Sequence, residues 1–186
     1  MSGNLLHLLE NIGPLSPSLR QRLTGMLKMQ TFKKKDYLLR EGQLAKYIYF
    51  IETGLIRIFY LKDGVELCSG LLNEGMIAIS VRSFFNRKPS YEYIQALEDT
   101  QTYYISYDEM ESLYQEFPEF NVIGRKLITE YYVNSEDRNY WLRKQSAQEK
   151  FAFFSENLGH LLSRVPRKDI ASYLGITLET LSRMGH

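Results

Sequence analysis

The sequence predicts an α+β chain in three parts: an N-terminal antiparallel β jelly roll or barrel with flanking helices, one long helix, and a C-terminal helix-turn-helix. Three observations carry this. Residues 31–107 break into short β-rich runs separated by turn chemistry. Residues 119–144 hold a helical pattern with no Gly or Pro after Gly124. "IASYLGITLETLSR", residues 170–183, reads as two short helices across a tight turn. The boundaries drawn from these patterns are 1–118, 119–145 and 146–186.

The first elements are helical. Leu5, Leu8, Leu9 and Ile12 share one spacing and Leu19, Leu23 and Leu27 another, with "GPLSPS" between them and Ser16 or Ser18 placed to cap the second helix. The period then changes. "YLLR", "YIYFI", "LIRIFYL" and "VELCSGLL" are separated by Glu-Gly, Glu-Thr-Gly and Lys-Asp-Gly, and Asp63-Gly64 is a strong hairpin signal. "YEYIQAL" and "TYYISY" follow, joined through Glu98, Asp99 and Thr100. About seven short strands at this spacing fit an antiparallel barrel or jelly roll.

From Tyr107 helical spacing returns. "DEMESLYQEF" carries acidic residues in its first turn, which suits the helix dipole, and stops near Pro118. The long helix has a candidate seam of Phe120, Ile123, Leu127, Tyr131, Asn134, Arg138 and Trp141. That stripe is either the ordinary core of a helix lying on its own domain or a two-stranded dimer interface with Asn134 setting register. The flanking elements favour the dimer. A further helix, 149–162, places Phe151, Phe154 and Leu158 on one face, continued by Leu161 and Leu162.

Composition narrows the classes. The net charge of +1 over 186 residues names no partner, but from Arg143 onward seven basic residues face four acidic ones, against sixteen and eighteen before it. A mildly basic end on a mildly acidic body is compatible with nucleic-acid binding there. The single cysteine, Cys68, excludes an intramolecular disulfide and any cysteine-only cluster. The N-terminus lacks the pattern of a secretion signal. The apolar run "YIYFIETGLIRIFYL" is broken by Glu52, Gly54 and Arg57, so it is no membrane span. The expected compartment is the cytoplasm.

In the closing motif, Pro166 can occupy a first helical position, Ile170 and Leu174 face inward, and small Ala171 lets a crossing helix approach. Gly175 suits the left-handed residue that ends a helix. Ile176 plugs the gap, and Thr177 caps the next helix with Glu179 in its first turn. There Leu181 and Met184 point inward. Leu178, Glu179, Ser182 and Arg183 form one outward stripe near the helix start, where helix-turn-helix proteins touch bases. Arg can bond guanine with both forks, Glu can accept from cytosine N4, and Ser can bond a base or phosphate. A helical hairpin with a merely polar outer face would carry the same pattern.

Barrel, long helix and this motif together resemble the Crp/Fnr family of bacterial transcription regulators over essentially the whole chain. The most specific segment is Ile170 to Arg183, which is similar to the oxygen-sensing branch, where a Glu, a Ser and an Arg spaced like Glu179, Ser182 and Arg183 read the operator. "EFPEF" and "SAQEKFAFF" resemble a branch common in Bacteroidetes. The resemblance implies a cyclic-nucleotide-binding-like jelly roll, a homodimer along the long helix, and an inverted repeat in double-stranded DNA as target, with RNA polymerase a candidate partner and no membrane. It places Glu179, Ser182 and Arg183 at base edges; Leu178 shares their outward stripe in the DNA-binding set, and Thr177, Thr180 and Lys168 are phosphate candidates.

Two departures follow. Nucleotide-binding members carry a Gly-Glu-x-Ala cassette and, about a dozen residues later, an Arg after a Pro that holds the phosphate. Here Gly75-Met76-Ile77-Ala78 lacks the Glu, and Ser90 follows Pro89 where the Arg would be, so cyclic AMP and cyclic GMP are not expected. No cofactor is assigned. A pocket from Ser80, Arg82, Ser90, Tyr91 and Tyr93 could hold another effector, or aromatic side chains could fill it. One cysteine leaves no iron–sulfur set, and scattered His7, His160 and His186 offer no haem ligand; each reads as a surface residue. Past Arg183, relatives continue with basic residues, whereas Met184, Gly185 and His186 stand here, so the third part reads as truncated, with fewer phosphate contacts. A regulator is thus expected rather than an enzyme. The other class is a small-molecule-binding barrel whose helical tail serves only assembly. A jelly-roll metalloenzyme is rejected, because no His lies between His7 and His160.

Overall fold

The structure, a computed structural model, describes residues 3–184. Its β-rich part is two facing antiparallel sheets of four strands. One runs in the order β1 (Lys28–Phe32), β8 (Thr100–Ser106), β3 (Tyr47–Thr53), β6 (Ile77–Ala78); the other β2 (Tyr37–Leu39), β7 (Tyr93–Ala96), β4 (Ile56–Lys62), β5 (Val65–Leu72). Strands change sheet at nearly every connection, which makes this the expected jelly roll. The exception is the β4–β5 hairpin, where Lys62 pairs with Val65 and the turn residues Asp63 and Gly64 both have positive φ (52° and 79°). That is the backbone a two-residue turn needs to match strand twist.

Strand β3 is buried on both faces, at Tyr49, Phe50 and Ile51, because helices cover its outer side. Helices α1 (Gly3–Ile12) and α2 (Pro17–Met26) bring Leu5, Leu9, Leu19 and Leu23 into this core, and α4 (Tyr107–Glu116) brings Met110 and Leu113. Ser16 caps α2 by accepting from the Leu19 N–H (3.2 Å). Ser106 and Glu109 form a reciprocal capping box on α4.

Helix α5 runs from Pro118 to Lys144, about 40 Å at 1.5 Å per residue. The candidate seam is corrected here. Phe120 and Ile123 are buried in the barrel core, with Leu127 packed against it, and Trp141 is buried in a second core at the far end. These residues do not form one exposed stripe, because each end of the helix lies on its own chain. The exposed large apolar residues of α5 are Val122, Ile128, Tyr131, Tyr132, Val133 and Tyr140.

The chain ends in three short helices: α6 (Ala147–Leu158), α7 (Arg167–Leu174) and α8 (Leu178–Met184). The helix expected over 149–162 stops at Leu158 and continues as a 3-10 turn, Gly159–Leu161. Leu161 is fully buried while Leu162 is exposed, so the continued face does not hold past that turn. Three further elements differ from expectation: β1 occupies what read as the end of a helix, and β6 and α3 (Val81–Asn86) were not read at all. Among the described residues no helix is long and apolar enough to cross a membrane. Gly185 and His186 lie outside the described residues.

Candidate nucleic-acid interface

Helices α7 and α8 cross around Ile170, Ala171, Leu174 and Leu181, all buried. Gly175 ends α7 in the left-handed conformation (φ 64°), and its N–H returns to the Ser172 carbonyl at 3.0 Å. Pro166 precedes α7 as its cap residue rather than opening it. Thr177 caps α8, its Oγ1 accepting from the Thr180 N–H at 3.1 Å, with the two hydroxyls 2.9 Å apart. Leu178, Glu179, Ser182 and Arg183 are all exposed on the outer face, Thr177 is exposed beside them, and Thr180 is half-buried. The carboxyl of Glu179 sits below its ordinary range, held there by hydrogen bonds from its own backbone and from Thr177, with the Arg183 charge adding to the effect. One open face thus carries an acceptor, a hydroxyl and a guanidinium along a short helix, a set that can pair with the donors and acceptors of base edges in the major groove.

The inner side of this head is docked on the barrel. Arg57, on β4, and Asp169, on α7, are both buried and joined at 2.8 Å. The Arg57 guanidinium also donates to Glu66 (2.9 Å) and to the amide oxygen of Gln95 (3.0 and 2.8 Å), and it lies over the Phe59 ring at 4.1 Å. Strand β5 is an edge strand, and Ser172 Oγ closes part of that edge by accepting the Cys68 N–H at 2.8 Å. Lys168 is exposed, with its Nζ 3.4 Å from Glu66. Leu55, Cys68 and Leu71 of the barrel share the second core with Trp141, Phe154, Leu161, Val165 and Ile170. On the α5 side, Arg138 lies over the Tyr173 ring at 4.3 Å. Burial pushes the Cys68 thiol up to about 12, which suits a packed thiol rather than a reactive one.

Arg164 bridges the same junction to Glu98 and to Glu74 (2.7 and 3.1 Å). The Arg164 guanidinium holds the Glu74 carboxyl down at about 2, from an ordinary 4.5. A depressed folded value contributes stability that is complete above the ordinary value and is lost as pH falls toward the folded one. Melting temperature should therefore drop faster for the native chain than for Glu74→Gln between pH 4.5 and 2. The Glu74 side chain is 39% exposed, so added salt should shrink the difference. Parallel pH profiles at any salt would remove Glu74 from the account.

The sensor-side candidates are placed differently from the pocket expected of them. Ser80 and Ser90 are buried, but their hydroxyls are 3.0 Å from each other, and Ser80 donates to Glu92 at 2.8 Å. Ser90 also receives the Glu92 N–H at 2.9 Å. Tyr93 is stacked on Phe59 and donates its hydroxyl to Glu41. Arg82 and Tyr91 are exposed, the guanidinium 5.8 Å from the ring. A cavity of about 390 Å³ lies between β2 and β3, and none of the five lines it. Burial pushes the Glu92 carboxyl up, opposed in part by its bond from Ser80. His7 and His160 are exposed, and His186 is outside the described residues.

Sequence reasoning missed Arg57, Asp169 and Glu92. Arg57 stood only as a charge interrupting an apolar run, and its partner lies 112 residues away. A charge in the middle of an otherwise buried strand was the one available signal, since such a charge is kept only when paired.

Comparison with known proteins gives a consistent picture. A cyclic nucleotide-binding domain model matches residues 29–117. The fumarate and nitrate reduction regulatory protein of Yersinia pestis is 26% identical over 170 residues, covering 84% of this chain and 67% of that protein. The chain spans about two thirds of the length of the curated relatives it matches. Among solved structures, FixK2 from Bradyrhizobium japonicum superposes with a TM-score of 0.72 at 22% identity, over 85% of this chain and 82% of that one. A Crp/Fnr-family transcriptional regulator from Eubacterium rectale superposes with a TM-score of 0.71 at 16% identity, over 91% and 82%.

Proposed function

We propose that this chain, which is similar to Crp/Fnr-type transcription regulators over 84% of its length, is itself such a regulator and binds an inverted repeat in duplex DNA as a homodimer, reading bases with α8. The observation that carries the reading is the open α8 face, where Glu179, Ser182 and Arg183 stand together on a capped helix whose other side is fixed in the core. Leu178 is placed for a thymine methyl, and Thr177 and Thr180 for phosphates. Lys168 reaches a phosphate only by leaving Glu66. The dimer contact is assigned to the apolar surface that α5 leaves open, Ile128 and Tyr131 with Tyr132 beside them, rather than to the buried stripe. RNA polymerase remains a candidate partner for a DNA-bound dimer.

The barrel is read as not holding cyclic AMP or cyclic GMP. A cyclic phosphate carries a negative charge and needs donors. Here the Ser80 and Ser90 hydroxyls are engaged with each other and with Glu92, whose carboxyl adds no donor when ionised and repels an anion. No cofactor is assigned.

The test is selection from a random duplex pool by this chain at two salt concentrations. An enriched inverted repeat, lost at high salt, is expected, because each phosphate contact contributes about 0.9 to the salt slope. No salt-dependent retention of DNA and no sequence preference would favour the other class, a barrel whose helical tail serves assembly.

A further inference from the structure

We propose that the cavity between β2 and β3 is a binding site for a small monocarboxylate with an apolar body. Its walls are aliphatic, from Leu38, Leu44 and Ala45, and its polar groups are Lys46, Tyr47 and Tyr49. At about 390 Å³ it falls within the range of ligand sites, ~300–1,000 Å³. It is distinct from the Ser80–Ser90–Glu92 network, and the inference does not depend on DNA reading.

Tyr49 supplies the first independent observation. It lines the cavity with 6% residual exposure, and its hydroxyl, which forms no hydrogen bond among the described residues, is open to the cavity rather than sealed in the core. A phenol open to a cavity can donate to an acceptor bound there. The Tyr49 ring is held edge-on to Phe32 at 5.9 Å and against Tyr104 at 5.8 Å, which fixes where the hydroxyl stands. Burial pushes the phenol pKa up, so the group stays a proton donor throughout the neutral range. Tyr47, stacked edge-on to Tyr104 at 4.8 Å, likewise has no hydroxyl partner among the described residues.

Lys46 supplies the charge. It is exposed at the cavity wall and forms no ion pair among the described residues. An ammonium and two phenol donors beside aliphatic walls, with no unmatched acceptor side chain among them, select an anion with a hydrophobic tail. A carboxylate accepts from all three donors, an alcohol cannot meet the charge, and an amine is repelled by it. The lining Gln43 is no competitor, because its carbonyl is already bonded by the Arg40 N–H at 2.9 Å.

The probe is octanoate, titrated into the full chain by calorimetry, with octan-1-ol and octylammonium as matched controls. Saturable octanoate binding at one per chain is expected, with weaker octanol and no octylammonium binding. Tyr49→Phe keeps the ring and deletes only the hydroxyl, and Lys46→Gln deletes only the charge. Each should weaken octanoate by about fivefold to tenfold, that is ~1–1.4 kcal/mol, without moving the melting temperature of the free chain. Ala45→Trp, which fills the space, should abolish binding. No saturable octanoate heat overturns the proposal. So does octanoate binding that is indifferent to both Tyr49→Phe and Lys46→Gln, since it would then be adsorption to another apolar surface.

Discussion

Asp169→Ala should destabilise the chain by about 3–5 kcal/mol, because it leaves a buried guanidinium without the carboxylate that offsets its desolvation. The residual exposures decide the size: Arg57 retains 6% and Asp169 3%, so neither group can turn to water. Glu66 and Gln95 still hold Arg57, so the loss belongs at the lower end of that range. The effect should be concentrated at the junction between barrel and head. Trp141, the single tryptophan, sits in the core that joins them, so its fluorescence reports on that junction directly. Urea unfolding followed by Trp141 emission should shift to lower denaturant than the far-ultraviolet signal of the barrel. The pairing also predicts its own rescue. Arg57→Met with Asp169→Leu removes both charges, and apolar replacement of a buried pair is often neutral or stabilising. A loss below about 1 kcal/mol for Asp169→Ala would show that the pair is exposed in solution, as surface pairs contribute that little.

That pair also marks where sequence reading stopped. Strand alternation, turn residues and helix caps are local, and they delivered the jelly roll, α2 with its Ser16 cap, and the α7–α8 turn at Gly175. β1 was not legible because only Phe32 of its five residues is buried, so no alternation exists to detect. β6 has two residues and no period at all. Periodicity along α5 showed correctly that one face is apolar, but a stripe does not say what covers it. Phe120 and Trp141 meet two different parts of the same chain, leaving Ile128 and Tyr131 as the open surface. Arg57 and Asp169 belong to separate local patterns, and only the folded topology brings β4 under α7. The bonding around Ser80 and Ser90 was not legible for a related reason. Departure from the nucleotide cassette was visible at Ser90, but that Glu92, two residues on, closes the Ser80–Ser90 pair needed coordinates. The α8 stripe was legible because it depends only on helical spacing and a cap.

Arg183→Ala should relax operator choice while leaving the fold unchanged. Arg183 is exposed in the last turn of α8, and its removal opens no cavity. A guanidinium that bonds guanine O6 and N7 together discriminates by about 1–3 kcal/mol, or roughly fivefold to 150-fold at one position of each half-site. The selected pool should therefore keep its inverted repeat but lose its preference at that position in both halves. A phosphate contact behaves otherwise: its loss weakens binding to all sequences alike and lowers the salt slope by about 1. Lys168 supplies that contrast within the same head. Because Glu66 lies 3.4 Å from its Nζ, Lys168→Ala removes a phosphate contact only if DNA draws the lysine away. Its effect on the salt slope should then be matched by Glu66→Gln acting in the opposite direction on affinity, since that variant frees the ammonium. If Arg183→Ala instead weakens all sequences equally, Arg183 touches backbone and specificity rests on Glu179 and Ser182. If discrimination survives in full, α8 does not read bases through this residue at all.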